Sequence, residues 1–215
     1  MISTDDLQDI INLAIKSIKY PQNPNGLYDP IKYTLEGGGK RLRPMLALAT
    51  CMACGGNAEK AINQALGIEM FHNFTLLHDD VMDRAELRRG RLTVHCRWND
   101  STAILSGDAM LTMATQLVMK NTGEHLADVL NLFNKTAIEV YEGQQYDMDF
   151  ERKDDVAVEE YIEMIRLKTS VLLGCACKMG AIMADAPLKT QDAMYKFGEK
   201  LGLAFQIQDD YLDSF

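Results

Sequence analysis

Proline is scarce in this chain of 215 residues: there are five, mostly near the start. With so few helix breakers, long helices can run uninterrupted. Convincing period-two alternation is missing, which argues against half-buried strands. No run of 18 or more uncharged apolar residues occurs, so a membrane-spanning helix is excluded and no integral membrane segment is expected. Basic residues are in deficit, 22 Lys and Arg against 31 Asp and Glu, for a formal charge of −9. That balance argues against non-specific nucleic-acid binding, which needs a basic footprint. The opening MISTDDLQDIINLAIKSIKY has acids where a secretory signal has positive charge, so a cytoplasmic location is expected. The five cysteines are an odd number and point to reduced thiols. Cys51 and Cys54 form one close pair and Cys175 and Cys177 another, while Cys96 stands apart. Both pairs lie in apolar helical runs without the usual zinc spacing, so they read as small core residues.

What is present is helical periodicity. Leu7, Ile10, Ile11, Ala14, Ile15 and Ile18 recur at helical spacing over residues 3–20, with Ser3 and Asp6 placed as a capping box. PQNPNG at 21–26 reads as a loop, and a short helix then ends at Gly37-Gly38-Gly39. Further helices are predicted at about 43–54, 58–85, 96–120, 124–151, 157–184 and 188–214, separated by glycine-rich or charged breaks. Length and composition, 47% apolar and 25% charged, fit one globular domain over 1–215. Helices of this length suggest an all-α bundle with a site between helices.

Two acidic clusters carry the chemistry. His78-Asp79-Asp80-Val81-Met82-Asp83 and Gln206-Ile207-Gln208-Asp209-Asp210-Tyr211-Leu212-Asp213 both spell D-D-x-x-D. On a helix, Asp79 and Asp83 share a face at a spacing of about 6 Å, as do Asp209 and Asp213. Like charges so placed call for a cation, and all-oxygen donors favour Mg²⁺. One such cluster alone reads as a solvated helix face; two, each following an apolar stretch, would bind a polyphosphate if antiparallel helices set them across a cavity. Gly37-Gly38-Gly39-Lys40-Arg41-Leu42-Arg43-Pro44 offers cations after a flexible glycine run, and Arg88-Arg89-Gly90 follows the first acid cluster. Arginine forks suit diphosphate oxygens, although either basic run alone also fits a solvated loop. His72 alone fits a core histidine equally well. Lys168, in an apolar helix, requires a partner if its ammonium is buried.

The ordered set GGGKRLRP, His72, DDVMD, RRG, Gly143-Gln144, Lys168-Thr169 and FQIQDDYLD closely resembles the trans-isoprenyl diphosphate synthases, or polyprenyl synthetases, over about residues 31–215. The resemblance implies the isoprenoid synthase-type bundle of long, mostly antiparallel helices around a central cavity, usually a homodimer. It implies a short-chain prenyltransferase that joins isopentenyl diphosphate to an allylic diphosphate. By the same resemblance Asp79 and Asp83 would hold two Mg²⁺ ions with Asp80 close by. Asp209 would hold a third, supported by Asp210 and Asp213. Arg88 would touch the allylic diphosphate. Gly39, Lys40, Arg43, His72 and Arg89 would bind the diphosphate of isopentenyl diphosphate, and Lys168, Thr169 and Gln206 would line the centre of developing positive charge.

Product length in the family depends on side chains preceding the first motif. Phe74 lies five residues before Asp79, Thr75 four and Phe71 eight. A large Phe74 predicts a short product, C15 or C20, while its plain alternative is packing between helices. Two departures from the family pattern stand out. Leu92 replaces a usual proline after the RRG loop, and the chain stops two residues after Asp213, so the family's C-terminal helices, with a diphosphate-binding lysine, are expected to be missing. Rival readings are a terpene cyclase, a non-catalytic prenyltransferase subunit and an HD-type phosphohydrolase. The cyclase has no use for a second diphosphate pocket, the subunit tends to lose an Asp motif, and the phosphohydrolase leaves the second motif unexplained.

Overall fold

The computed structural model describes residues 2–214, and the side chains of residues 2–212. Among the described residues ten α-helices dominate: α1 Thr4–Lys16, α2 Asn25–Leu35, α3 Leu42–Ala53, α4 Ala58–Met82, α5 Val94–Arg97, α6 Asp100–Met119, α7 Leu126–Phe150, α8 Val158–Ile165, α9 Val171–Met183 and α10 Leu188–Ser214. The contacts divide the chain into two compact units. One comprises the chain up to Met45 with Ile62–Lys120; the other comprises Leu46–Ala61 and the chain from Asn121 onward. Among the described residues no helix is long and apolar enough to cross a membrane.

In the first unit α1 begins as its sequence dictates. Ser3 Oγ accepts the Asp6 N–H at 3.1 Å, and the Asp6 carboxylate accepts the Ser3 N–H at 2.8 Å, so both open amides are satisfied. Leu7, Ile11 and Ile15 from α1 join Ile31 and Leu35 from α2 and Phe71, Phe74 and Leu77 from α4 in the core. The predicted helix over 58–85 stops at Met82. Asp83 N–H still donates to Asp79 O at 2.8 Å, Arg84 turns left-handed with φ 55°, and Ala85 N–H returns to Asp80 O at 3.0 Å. This Schellman closure ends the helix without the customary glycine. A hairpin that the periodicity did not predict follows: β1 Leu87–Arg88 pairs antiparallel with β2 Arg91–Leu92. Arg89 and Gly90 both take positive φ, 53° and 74°, the geometry of a type I′ turn. Leu92, where relatives were expected to carry proline, is a strand residue whose carbonyl accepts the Tyr33 hydroxyl at 2.8 Å. The helix expected over 96–120 is two helices, because Asn99 caps α6 by accepting the Thr102 N–H at 2.8 Å.

In the second unit α9 is the central element: every residue from Val171 to Met183 except Lys178 is buried. A helix apolar on all sides belongs inside a bundle, and α7 and α10 both pack on it. The helix expected over 157–184 is not uniform. Between α8 and α9 lies a π-helical turn, Arg166–Ser170, marked by the Val171 N–H donating five residues back to Arg166 O. Gly143 of α7 and Gly202 of α10 press on this turn. A Cβ at Gly143 would lie 2.2 Å from Lys168 N, and one at Gly202 would lie 2.6 Å from Ser170 Cα. Only glycine admits so close an approach of backbones. Cys51, Cys175 and Cys177 are buried, Cys54 is half-buried and Cys96 is exposed.

Candidate active site

The acids of the first motif sit at the C-terminal end of α4, where helix carbonyls already concentrate negative charge. Asp79 is half-buried and Asp83 exposed, one turn apart on the same face. Carboxylates at the negative end of a helix favour a cation there, and an all-oxygen set suits a hard divalent ion. Asp80 is different. It is only 5% exposed and accepts Arg88 Nε at 2.7 Å. Burial lifts its carboxyl above the usual range against the pull of Arg88. The structure therefore joins Asp80 to Arg88, two residues assigned separate partners above.

Behind this motif in the same unit stands a cluster of cations. Arg43 Nη1 lies 3.3 Å from His72 Nε2. Arginine can only donate, so Nε2 accepts and the ring is neutral with its proton on Nδ1. Burial, and then Arg43, Arg89, Arg88 and Arg41, hold the His72 pKa well below its ordinary value. Burial likewise pushes Arg43 down to about 10, opposed by the charge of Glu69. The Arg89 guanidinium donates to Gly38 O and lies against Gly39, where a Cβ would meet it at 2.9 Å with φ at 128°. Gly39, Arg43, His72 and Arg89 are thus brought together, with exposed Lys40 in the adjoining loop. A small cavity opens beside them, lined by Asn73, Asp80, Arg88, Arg89, Arg91 and Thr93 among others.

Phe71 and Phe74 are both buried, their ring centroids 5.6 Å apart, and Phe74 stacks edge-on with His78 at 4.7 Å. The Thr75 hydroxyl bonds back to His72 O at 2.8 Å. His78 Nε2 lies 3.1 Å from Ile104 O and therefore donates to it. With His72 neutral among arginines and His78 bound to a backbone carbonyl, the histidine–metal order of a phosphohydrolase finds no support.

The second motif lies on α10 in the other unit. Gln206 Nε2 donates to Asp210 Oδ1 at 2.8 Å, and Gln206 Oε1 accepts the Thr169 hydroxyl at 3.0 Å. Tyr161 of α8 donates its hydroxyl to Asp210 Oδ2. Lys168 is about one-third exposed rather than buried, and its ammonium pairs with Asp147 of α7. Asp209 is half-buried; the side chain of Asp213 lies outside the described residues. Among the described residues, three metal-ligating side chains converge only at Glu124, His125 and Asp185, where Lys60 also binds Asp185 at 2.9 Å.

Five residues of these sites escaped the sequence reading: Arg41, Glu69, Asn73, Asp147 and Tyr161. Glu69 and Asn73 had a signal, as polar residues at i−3 and i+1 from His72 in an otherwise apolar helix. Asp147 and Tyr161 had none, because their partners lie 21 and 49 residues away.

A family model described as polyprenyl synthetase matches residues 24–215. A curated geranylgeranyl diphosphate synthase of Methanosarcina mazei is 38% identical over 205 residues, 94% of this chain and 63% of that protein. A solved geranylgeranyl pyrophosphate synthase aligns with the whole chain at 51% identity and a TM-score of 0.97, with 66% of its own length covered. An FPP/GFPP synthase from Zymomonas mobilis aligns over 98% of this chain and 80% of its own, at 33% identity and a TM-score of 0.88. The all-α fold expected from the sequence is the one shared with these structures. The chain spans just under two thirds of the curated relatives it matches, 63% and 66% for two archaeal synthases.

Proposed function

Since the chain belongs to the polyprenyl synthetase family, we propose that it joins isopentenyl diphosphate to an allylic diphosphate, giving a trans-prenyl diphosphate of C15 or C20. One observation carries this reading beyond ionisation of a single diphosphate. Arg43, His72 and Arg89 gather at Gly39, a cationic pocket additional to the first acid motif. A terpene cyclase, with one diphosphate to bind, has no use for that pocket. Intact acid motifs and the cationic pocket together also disfavour a non-catalytic subunit.

Asp79 and Asp83 would hold two Mg²⁺ ions and Asp209 a third, with Asp210 and Asp213 in support. Bound there, Mg²⁺ would supply positive charge to the allylic diphosphate as its bond to carbon breaks. The chain's own groups do the rest. Arg88 carries charge to the same diphosphate while its Nε remains on Asp80. Lys40, Arg43 and Arg89 hold the diphosphate of isopentenyl diphosphate, with neutral His72 set by Arg43. The allylic C–O bond breaks and its electron pair leaves with diphosphate. The isopentenyl double bond then attacks the allylic carbon to form the new C–C bond, and the departing diphosphate takes the proton lost from the adjacent carbon. The Thr169 and Gln206 oxygens offer dipoles that stabilise the cation without capturing it. Lys168, anchored on Asp147, places a fixed positive charge that opposes drift of the cation toward it. The working unit is proposed to be a homodimer, and five free thiols fit a reducing cytoplasm.

Incubation of the chain with Mg²⁺, isopentenyl diphosphate and dimethylallyl, geranyl or farnesyl diphosphate tests the reading. The expected result is a new prenyl diphosphate of C15 or C20; folded protein giving no prenyl product would overturn it. Replacing Phe74 with Ala is expected to lengthen the product by about one isoprene unit, since one helical turn rises about 5.4 Å. An unchanged product distribution would assign Phe74 to packing alone.

A further inference from the structure

Between Lys40 and Arg43, both assigned above to the isopentenyl diphosphate, lies a residue with no assigned role. Arg41 is 5% exposed and has φ 52°, a left-handed conformation that residues other than glycine rarely adopt and that its surroundings must hold. Its surroundings are explicit. Nη1 donates to Glu69 Oε1 at 2.5 Å and Nη2 to Leu35 O at 2.6 Å, the last residue of α2. Glu69, 3% exposed on α4, is itself held: Asn73 Nδ2 donates both to its Oε1 at 2.9 Å and to its carbonyl at 2.8 Å. The Arg41 carbonyl accepts the Met45 N–H at 3.1 Å and so starts α3. One side chain therefore ties the end of α2, the middle of α4 and the first turn of α3, and the loop carrying Gly39 and Lys40 spans these ties.

The charge balance has a second message. Arg41, Arg43, Arg88 and Arg89 all act on His72, while the buried carboxylates that answer them are Glu69 and Asp80. The Nε–H groups of Arg41 and Arg43 are buried without an acceptor. A purely structural ion pair would be closed on itself; this cluster carries cation and donor in surplus, as a pocket for an anion should.

We propose that Glu69 is a positioning residue for the homoallylic diphosphate: through its buried pair with Arg41 it fixes the left-handed turn from which Lys40 and Arg43 bind that anion. The proposal rests on the function given above and adds a residue to it. Glu69 touches neither substrate nor metal. It holds the binding loop against α4, and its charge keeps the arginines together before the substrate arrives.

Titration calorimetry of the chain with isopentenyl diphosphate, without an allylic partner, separates the possibilities. Glu69→Gln keeps the shape and removes the charge; Arg41→Lys keeps the charge and removes the fork. Each is expected to weaken isopentenyl diphosphate binding about tenfold, a loss of about 1.4 kcal/mol. The KM for the allylic diphosphate should stay unchanged, and kcat at saturation should fall less than about threefold, because only ground-state capture is loosened. Glu69→Met with Arg41→Met, which leaves no buried charge uncompensated, is expected to fold normally and yet to bind about as weakly as the single variants, about tenfold below the parent chain. Unchanged affinity in the folded double variant, whatever happens to thermal stability, would overturn the proposal and leave the pair a structural strut. If the unmodified chain itself bound no isopentenyl diphosphate while remaining folded, the prenyltransferase reading would fall, a result distinct from loss in the variants alone.

Discussion

Asp79 and Asp209 begin the same five-position pattern, yet their neighbourhoods are built from different materials. Around Asp79 the supports are full charges: Asp80 on Arg88, Arg41 on Glu69, and Arg43 against a neutral His72. Around Asp209, apart from the Lys168–Asp147 ion pair, they are neutral dipoles and close backbone contact. Tyr161 donates directly to Asp210, Thr169 reaches it through Gln206, and Gly143 and Gly202 press the π turn from both sides. A charge-built frame responds to pH and to the charge of what enters it. A contact-built frame responds to volume. The two motifs can therefore share a chemistry and still fail in different ways.

The sharpest way to break this comparison is to remove one carboxylate from each frame. Asp79→Asn is expected to lower kcat/KM by on the order of 10³, the cost of losing a group aimed at developing transition-state charge. Asp209→Asn should cost about tenfold less, because on the proposed reading Asp79 serves two ions and Asp209 only one. Equal losses, measured at saturating Mg²⁺, would mean that the two settings do not matter.

Volume is the next lever. Gly143→Ala places a methyl where Lys168 N already stands, so the π turn must shift. Overpacking of this kind costs about 1–3 kcal/mol in a melt and should lower kcat with it. A variant with unaltered stability and turnover would show that α7 yields without disturbing Lys168. Smaller still is the loss of one dipole. Tyr161→Phe removes the hydroxyl on Asp210, worth about 0.5–1.5 kcal/mol, and should raise the Mg²⁺ concentration for half-maximal activity severalfold. No change in that midpoint would remove Tyr161 from the frame.

The mildest prediction concerns protons. His72 has a folded pKa well below its ordinary value, burial being the main cause. Below about pH 6.5 the unfolded chain takes up a proton that the folded ring refuses, so stability falls as pH drops from there toward the folded pKa, and is flat above. Urea melts at about pH 7.5 and about pH 5.5 should show this slope in the parent chain and a shallower one in His72→Gln. Identical slopes would place the acid sensitivity elsewhere.

Helix positions were legible because the period is short-range and most segments keep it. The Ser3–Asp6 cap was legible for the same reason. Asn99 carried its signal too, as a cap three residues before Thr102, but it falls inside a stretch that reads as one helix over 96–120. The hairpin was not visible because two-residue strands are too short to alternate. The π turn was hidden because an added residue leaves composition untouched. In the sites, the acids stand out by local pattern and Arg43 and His72 by the family resemblance, whereas Arg41 reads only as one of three cations in its run. Its burial depends on Glu69, 28 residues away, and no local spacing encodes that partnership.

The π turn also has a consequence for phase. A straight α-helix advances about 100° per residue, so one surplus residue between α8 and α9 rotates everything before it by that angle relative to everything after. Tyr161 and the residues of α9 are consequently out of step by one position. Deleting a single residue within Arg166–Ser170 would heal the helix yet swing Tyr161 about a quarter-turn around the axis, away from Asp210. The helix there is an indexing device, set one notch off, and the irregular turn is what keeps the setting.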